Sequence, residues 1–305
     1  MDRMSKILLA IDQPEVGHAE LRAILLVQQL GVNAIDVIAT RRAGGGIGTR
    51  TASSRLRIDG GALSALIDGE QHCLEEVAAF GRPPHAWTMR DANAAGVVAA
   101  AAEEIGADLV VLQGAAGSAL ASWIWWPKNA AVAGLCRSPV LLVNAEPRDM
   151  YRKILVALDY SKASLAAARA ALRMAPSASF VFLHAWRLQD EGLMRELALP
   201  ERVIAGYREQ GWESARTRLN DYVELFFPDV QSCSRVVHHG TPHGGIVHHA
   251  RRWGADLVVI GKERIRPGRR FMPGSLTQRL ATRGACDLLV GPAPHGRDDD
   301  QRLAA

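Results

Sequence analysis

The residues best suited to hold a ligand lie in a glycine-containing loop near the end of the chain. Two short apolar runs, Leu257 to Ile260 and Leu288 to Val290, flank this loop. We predict that the first run is a strand ending at Gly261 and that a helix begins at Gly274-Ser275, before the second strand. A helix start favours an anion because it carries unpaired N–H groups and the positive end of the helix dipole. The segment therefore predicts an anion site where a strand end meets a helix start.

The same loop carries a local excess of positive charge. Its arginines are Arg264, Arg266, Arg269 and Arg270. Elsewhere Lys and Arg are mixed with 32 acidic residues, and the formal net charge of the whole chain is +4. Nucleic-acid-binding proteins usually concentrate their charge in a stripe. We therefore favour a phosphate-facing loop over an ordinary basic surface, and we expect no nucleic-acid partner.

A histidine cluster is the other group of residues that could do chemistry. It comprises half of the ten histidines of the chain, namely His238, His239, His243, His248 and His249. No cysteine or carboxylate stands at ligand spacing from them, so we predict a solvated strand end and helix start rather than a metal site. No nucleophile elbow, H-E-x-x-H motif or Walker lysine is present in the sequence. The motifs therefore give little support for catalysis.

The composition predicts a globular protein of about two domains. No apolar run reaches the roughly 18 to 20 residues of a membrane span, and the first ten residues lack the order of a signal peptide. We therefore expect a cytoplasmic location and no membrane partner. The cysteines are scattered without a C-x-x-C pair, which favours reduced thiols over disulfides or a zinc ribbon. They are Cys73, Cys136, Cys233 and Cys286.

An internal repeat organises the chain. The run from Lys6 to Asp12 returns from Lys153 to Asp159, and the run from Gly106 to Val111 returns from Gly254 to Val259, displaced by 147 and 148 positions. This period is far too long for a solenoid, so we infer a tandem duplication. We expect one domain over 1–147, a second over 148–293 and a disordered tail over 294–305.

Each half shows the same alternation of predicted strands and helices. The first four predicted strands are Ile7 to Ile11, Ala34 to Ala39, Ala86 to Met89 and Leu109 to Leu112 in the first half, and Ile154 to Leu158, Phe180 to His184, Arg235 to His238 and Leu257 to Ile260 in the second. Their continuously apolar character favours a parallel sheet covered on both faces. We predict the α/β class, with two tandem doubly wound domains, each a five-stranded parallel sheet, packed as a pseudo-dimer.

The stretch after the second strand differs between the halves. In the first half, Gly44 to Gly48 and the nearby Arg50, Arg55 and Arg57 predict a mobile surface loop. In the second, Glu191 to Phe226 is predicted to be helical. Its apolar residues, expected roughly on one side, are Leu193, Leu197, Val203, Tyr207, Leu219, Val223 and Phe226.

Together these features resemble the universal stress protein family in its tandem form, across residues 5 to 293. Members of that family that bind ATP carry an aspartate closing the first strand. After the fourth strand they carry glycine, two residues, glycine, nine residues, and Gly-Ser or Gly-Thr. In the second half, Asp159, Gly261 and Gly274-Ser275 match this pattern, and Arg264 stands at the second glycine. An arginine there either adds a cationic contact to phosphate or fills the space that glycine leaves open.

The resemblance implies an adenine nucleotide, ATP or AMP, with Mg²⁺ accompanying ATP. It implies Gly261, Gly274 and Ser275 around the phosphates and Asp159 near the ribose or a phosphate-bound metal. Thr277 for phosphate, and Ala185 with His184 for adenine, are weaker assignments.

Some of these residues also have purely structural explanations. Asp159 could be a turn residue that starts the following helix, with Ser161 as a second cap candidate. Ser275 and Gln278 fit a capping box. Gly274 is better explained by close backbone approach or a positive φ than by capping alone.

The first half departs further from the family pattern. Gln113 replaces Gly261, and Trp126-Pro127 or Pro127-Lys128 stands where Gly274-Ser275 would be. Proline has no N–H to offer, and tryptophan blocks close approach. We expect a degenerate first domain, in which Trp123, Trp125 and Trp126 plug the crevice or line an interface.

The sequence thus predicts a cytoplasmic stress-response protein whose second domain binds an adenine nucleotide as a regulatory ligand. Nucleotide binding would alter its contacts with itself, as a homodimer, or with another protein. The alternative is a nucleotide-free structural or interaction module. Enzymatic activity is expected to be absent or limited to slow ATP hydrolysis.

Overall fold

A computed structural model gives the fold of this chain. It describes residues 4–11, 17–32, 34–43, 50–59, 88–90, 94–114, 129, 131–262, 276–283 and 286–291. The tail after Pro292 and the loop with Gly44 to Gly48 lie outside these residues. Over the described ranges, no helix is both long and apolar enough to cross a membrane.

The described elements of the first half are six strands and two helices. They are β1 (Ile7–Ile11), α1 (His18–Leu30), β2 (Ala34–Ala43), β3 (Arg50–Asp59), β4 (Thr88–Arg90), α2 (Ala94–Ile105), β5 (Leu109–Gln113) and β6 (Val140–Val143).

In the second half strands alternate with helices, and two helices follow its second strand. Its elements are β7 (Lys153–Ala157), α3 (Lys162–Met174), β8 (Ser179–Trp186), α4 (Glu191–Glu196), α5 (Glu201–Phe226), β9 (Cys233–His239), α6 (Pro242–Trp253), β10 (Leu257–Ile260), α7 (Leu276–Arg283) and β11 (Asp287–Val290).

Local sequence signals set the bounds of the helices that shape the candidate site. At the start of α3, the Ser161 hydroxyl accepts a hydrogen bond from the backbone N–H of Ser164, and Thr241 caps α6 in the same way through Gly244. Pro242 occupies the first turn of α6, where its missing N–H costs nothing. Gly254 ends α6 with φ 67°, a left-handed conformation that glycine adopts without a steric penalty.

All eleven described strands belong to one continuous sheet. Its order is β4-β3-β2-β1-β5-β6-β11-β10-β7-β8-β9. The order β2-β1-β5-β6 of the first half recurs as β8-β7-β10-β11 in the second, and within each of these sets neighbouring strands are parallel. The predicted α/β class is therefore confirmed.

The two halves meet at an antiparallel strand pair. Strand β6 pairs with β11, with Leu142 opposite Leu288 and Val140 opposite Val290. The residues of this pair are buried on both faces of the sheet. The halves therefore share one sheet rather than carrying two separate ones.

The outer part of the first half differs from the prediction. Arg50, Arg55 and Arg57 do not lie in a surface loop but in β3, which pairs antiparallel with β2 over ten positions. The predicted strand Ala86 to Met89 is described as β4, Thr88–Arg90, which pairs antiparallel with β3 rather than parallel with β2. The expected five-stranded parallel sheet is thus interrupted here, because β3 runs antiparallel between β2 and β4.

The predicted helix Glu191 to Phe226 is two helices, α4 and α5, separated before Pro200. Proline disfavours helical backbone at the preceding residue, which accounts for the break. The prediction that the apolar residues share one buried side is also wrong for the first part of this segment, because Leu193, Leu197 and Tyr207 are exposed. Farther along α5, Leu219 and Val223 are buried as expected.

Helices cover both faces of the sheet. Helices α1, α3 and α5 share one buried apolar cluster with alternate strand residues such as Val156 and Val259. Helices α2, α6 and α7 share the other with residues such as Leu155 and Ile260. Because both faces are covered, the crevices of the sheet open at the ends of its strands.

Candidate functional site

The carboxyl ends of three adjacent strands, β10, β7 and β8, surround a cavity of about 130 Å³. The starts of α6 and α7 complete its described walls. Its described lining residues are Ala157, Leu158, Asp159, Leu183, Ala185, Pro242, Ile246, Ile260, Gly261 and Leu276. Three residues singled out from the sequence, Asp159, Ala185 and Gly261, therefore lie together.

Asp159 follows β7 and joins the strand end to the start of α3. Its carboxylate accepts hydrogen bonds from the Ser161 backbone N–H at 3.0 Å and the Ser161 hydroxyl at 2.5 Å. Burial alone would raise the pKa of Asp159, but hydrogen bonds from Ser161 and Ser164 outweigh it and lower the pKa below its ordinary value. The structure thus gives Asp159 the turn role foreseen for it and also places it in the cavity wall as an ionised acceptor.

Gly261 is required by close packing. A Cβ built on this residue would overlap the backbone of Ser164 and lie 2.6 Å from the carbonyl carbon of Ala163. Only glycine lets the end of β10 approach the first turn of α3 so closely. This constraint accounts for Gly261 without a phosphate, although the same close approach leaves its backbone at the cavity.

Ala185 lies in a part of β8 that extends beyond the pairing with β7. That pairing ends where Ala157 stands opposite Leu183, whereas β8 continues to Trp186. Next to Ala185, a ring nitrogen of His184 is hydrogen-bonded to the carbonyl oxygen of Leu158 at 2.8 Å. The small side chain of Ala185 keeps the cavity open at this point.

The predicted phosphate-binding residues fall mostly outside the described part of the chain. Arg264, Gly274 and Ser275 are not among the described residues, so their predicted roles stay predictions. Thr277 is described in the first turn of α7, where it is buried. It directly follows Leu276, which lines the cavity.

Two residues near the cavity were not singled out from the sequence. Lys262, directly after Gly261, is partly buried, and burial lowers the pKa of its ammonium group to about 8. Tyr160, directly after Asp159, has φ 63°, an uncommon conformation for a residue with a side chain. The sequence could have indicated both residues, because Lys262 directly follows Gly261 and Tyr160 directly follows Asp159.

An aromatic and cationic cluster holds Tyr160 in place. Its ring lies 4.4 Å from that of His184 and 5.1 Å from that of Tyr222, measured between centroids. The guanidinium carbon of Arg218 lies 4.3 Å from the centroid of the Tyr160 ring. Burial raises the pKa of Tyr160 to about 12, so its hydroxyl stays protonated.

The histidine cluster lies at the end of β9 and along α6. The rings of His238, His248 and His249 are 4.9 to 6.4 Å apart between centroids. Burial, together with neighbouring histidines, lowers the pKa values of His238 and His249. Within the described ranges, no three His, Cys, Asp or Glu side chains are arranged to hold a metal ion.

The corresponding position in the first half carries a side chain. At the end of β5, the amide oxygen of Gln113 accepts a hydrogen bond from the backbone N–H of Ala19, in the first turn of α1, at 3.0 Å. Asn129 donates to the Gln113 carbonyl oxygen at 2.9 Å. The Gln113 side chain is thus hydrogen-bonded to an N–H group at the start of α1 that an anion would otherwise bind. This is consistent with the predicted loss of an anion site in the first half. Trp123, Trp125, Trp126 and Pro127 lie outside the described residues.

Comparisons with known proteins agree with the fold. The archaeal universal stress protein from Archaeoglobus fulgidus has a similar structure, with a TM-score of 0.64, 15% identity and coverage of 97% of this chain and 98% of that protein. A protein of unknown function from Pseudomonas aeruginosa PAO1 has a TM-score of 0.56, 18% identity and coverage of 95% and 93%. At these identities the likeness concerns the fold alone.

The sequence comparisons concern about half of the chain. Residues 150–292 match the universal stress protein family. The universal stress protein YxiE of Bacillus subtilis is 26% identical over 146 residues, which cover 46% of this chain and 99% of that protein. The second half of this chain, residues 150–292, is therefore similar to the universal stress protein family.

Proposed function

We propose that this protein acts in the stress response and binds an adenine nucleotide, ATP or AMP, in its second half as a regulatory ligand. The observation that carries the proposal is the cavity at the ends of β7, β8 and β10, whose wall contains Asp159, Ala185 and Gly261. The family resemblance implies nucleotide-binding roles for these three residues, and the three lie together in the structure.

The size of the cavity suits a base better than a whole nucleotide. Pockets for complete ligands usually enclose about 300 to 1,000 Å³, whereas this one encloses about 130 Å³. We propose that the adenine ring enters between Ala185 and Ile246. The phosphates would then lie toward the start of α7, since Leu276 is in the cavity wall and directly follows Ser275.

The charges at the site suit a polar, anionic ligand. Asp159 is ionised at neutral pH because its pKa is lowered, so it can accept hydrogen bonds from a ribose. Lys262 stands directly after Gly261 and supplies positive charge. Mg²⁺ usually binds through one or two carboxylates together with the phosphates, and Asp159 is the carboxylate that would serve.

A regulatory ligand fits the lining better than a substrate. Among the described lining residues, Asp159 is the one titratable side chain, and it is already hydrogen-bonded to Ser161. No described group stands ready to activate a water molecule. We therefore propose binding without turnover, or with at most slow ATP hydrolysis.

The test is an equilibrium titration of the full chain with ATP, ADP and AMP by calorimetry. Ala185→Phe should fill the base cavity and weaken binding by roughly tenfold or more. Asp12→Ala, at the first-half position that corresponds to Asp159, is the matched control and should bind as the wild type does. Failure of the wild type to bind any of the three nucleotides would remove the proposal.

The second candidate function is an interaction module without nucleotide, and exposed apolar residues favour it. Leu197, directly after α4, and Leu225, near the end of α5, are 68% and 72% exposed. In that case added ATP would leave the melting temperature unchanged. A ligand at 100 times its Kd would instead stabilise the protein by about 2.7 kcal/mol, which a melting experiment detects readily.

The remaining assignments are also proposals. We propose that the chain is a tandem pair of domains, 1–147 and 148–293, because the strand order recurs in the two halves. We further propose a cytoplasmic location and a regulated contact with a second copy of the chain or with a protein partner.

A further inference from the structure

A second cavity, of about 280 Å³, lies on the same face of the sheet as the candidate nucleotide cavity. It is bordered by α6, α7, β10 and β11 and is partly open to solvent. Its apolar walls include Ile246, Val247, Ala250, Val258, Leu280 and Leu288. It is about twice as large as the candidate nucleotide cavity.

The two cavities lie at opposite ends of the strands. Asp287 and Leu288, which begin β11, line the second cavity, as do Gly254 and Ala255, which precede β10. The candidate nucleotide cavity instead lies beyond the last residue of β10, Ile260. Helix α6 borders both, and Ile246 is part of both linings. The second cavity is therefore a separate site.

The described walls of the second cavity offer almost no polar partner to a ligand. The carboxylate of Asp287 is already bound by the Tyr151 hydroxyl at 2.5 Å and the Arg22 guanidinium at 3.1 Å. Burial raises the pKa of the Cys286 thiol to about 12, so this sulfur stays uncharged. Among the described lining residues, the one remaining charged side chain is that of Arg251, which is exposed to solvent.

An apolar space of this size differs from ordinary packing. Protein interiors contain few voids larger than a water molecule. A cavity of about 150 Å³ with comparable aliphatic walls stays free of water and accepts benzene. The larger space here suits a ligand larger than benzene.

We propose that the cavity between α6, α7, β10 and β11 is a binding site for a small, neutral, apolar molecule, such as a fused two-ring aromatic compound or a branched hydrocarbon. The site does not depend on nucleotide binding. It belongs to the part of the fold that covers the amino ends of β10 and β11.

The test uses 1-fluoronaphthalene as the probe and the full chain without nucleotide, followed by fluorine NMR. We expect broadening of the probe signal that unlabelled naphthalene reverses by competition. Ala250→Leu places extra carbon atoms in the cavity and should weaken probe binding by roughly tenfold or more. Ala255→Leu fills the same cavity from another element and replaces Ala250→Leu if that variant does not fold.

Ala99→Leu is the matched control. Ala99, on α2, packs partly buried against the same apolar cluster but does not line the cavity. This variant should bind the probe as the wild type does. The proposal is overturned if the wild type leaves the probe signal unchanged, or if the cavity-filling variant binds as tightly as the control.

Discussion

Asp159 combines a structural and a candidate binding role in one side chain. Its carboxylate accepts from Ser161, and the Ser161 hydroxyl in turn accepts from the Ser164 N–H at 3.1 Å, so the strand end and the first turn of α3 are joined. The same residue lines the candidate nucleotide cavity. A ligand would therefore meet a carboxylate that is already oriented.

This arrangement predicts a pH dependence that can be assigned to one residue. The hydrogen bonds of Asp159 lower its pKa in the folded protein despite the burial that opposes them. The ionised form thus stabilises the fold. The stabilisation is complete above the unfolded pKa of about 3.9 and is lost as pH falls through the lower folded value. Below pH about 4, wild type should therefore lose its stability advantage over Asp159→Asn.

The measurement is urea unfolding of both proteins at neutral pH and at a series of acidic values. Asp190→Asn is the control, because Asp190 precedes α4 without capping it through its side chain. A difference in the free energy of unfolding between wild type and Asp159→Asn that stays constant with pH would contradict the assignment.

Glycine residues show how far the sequence could predict the site. The presence of Gly261 at the end of β10 was predicted to serve phosphate binding. The structure adds a reason that no linear pattern contains, which is the contact between Gly261 and the backbone of Ser164 and Ala163. The residues are about 100 positions apart, so only the folded chain reveals this constraint.

At the scale of elements, α5 offers a test of helix packing through two of its glycines. Gly206 has open space around it, whereas a Cβ at Gly211 would lie 2.6 Å from the Trp186 ring. Replacing glycine by alanine inside a helix stabilises it by about 0.5 to 1 kcal/mol. Gly206→Ala should therefore raise the free energy of unfolding by about that amount, and Gly211→Ala should give a smaller gain or a loss.

Urea denaturation analysed with a common slope compares the two variants directly. Both variants replace glycine by alanine in the same helix. The contribution of intrinsic helix propensity is therefore the same in both, and it cancels in the difference between their free energies of unfolding. Equal gains in both variants would mean that Trp186 does not restrict Gly211.

The prediction of strands was correct where the strands are buried on both faces of the sheet. Runs such as Leu109 to Leu112 are continuously apolar, and the structure confirms them as strands. Strand β3 was missed because its sequence, RTASSRLRID, mixes arginine and serine into a strand at the outer part of the sheet. The break before α5 could have been predicted from Pro200, because proline restricts the residue before it.

The exposed part of α4 and α5 could not have been predicted from periodicity. An apolar side on a helix indicates burial only if another element is there to cover it. Around Leu193, Leu197 and Tyr207 the described chain leaves these side chains exposed.

At the scale of the whole molecule, a buried ion pair joins the two halves. The side chains of Arg22 on α1 and Asp287 on β11 are 5% and 0% exposed, and their N–O distance is 3.1 Å. The Tyr151 hydroxyl also donates to Asp287, and backbone N–H groups of Asn144 and Ala145 complete the set at 2.8 and 3.0 Å. Burial and the charge of Asp287 raise the pKa of Tyr151 well above its ordinary value.

Breaking this pair should strongly destabilise the protein. Arg22→Met leaves the Asp287 carboxylate buried without its cation, which typically costs about 3 to 5 kcal/mol. The double variant Arg22→Met/Asp287→Asn should lose less than the sum of the two single losses, because the uncompensated charge is gone. Chemical denaturation of the three variants and wild type gives these values.

Arg152→Met is the control for this comparison. Arg152 pairs with Asp149 at the surface, where ion pairs contribute about 0 to 1 kcal/mol. Strict additivity in the double variant would show that Arg22 and Asp287 do not act as a pair.

The continuous sheet was the feature of the whole molecule that the sequence did not predict. The repeat predicted two similar halves, and the recurring strand order agrees with it. The two halves meet because β6 pairs with β11. The apolar residues of these two strands are like those of the other buried strands, so the sequence does not indicate which strands form the junction.

Covalent linkage of the halves has a further consequence for how the protein can change over evolutionary time. In an assembly of two identical subunits, a mutation in the gene would change the same residue in both subunits, and therefore in both halves of the sheet. Here Gln113 and Gly261 occupy matching strand ends and differ. One gene can therefore retain a receptive crevice in one half while the other half is free to specialise.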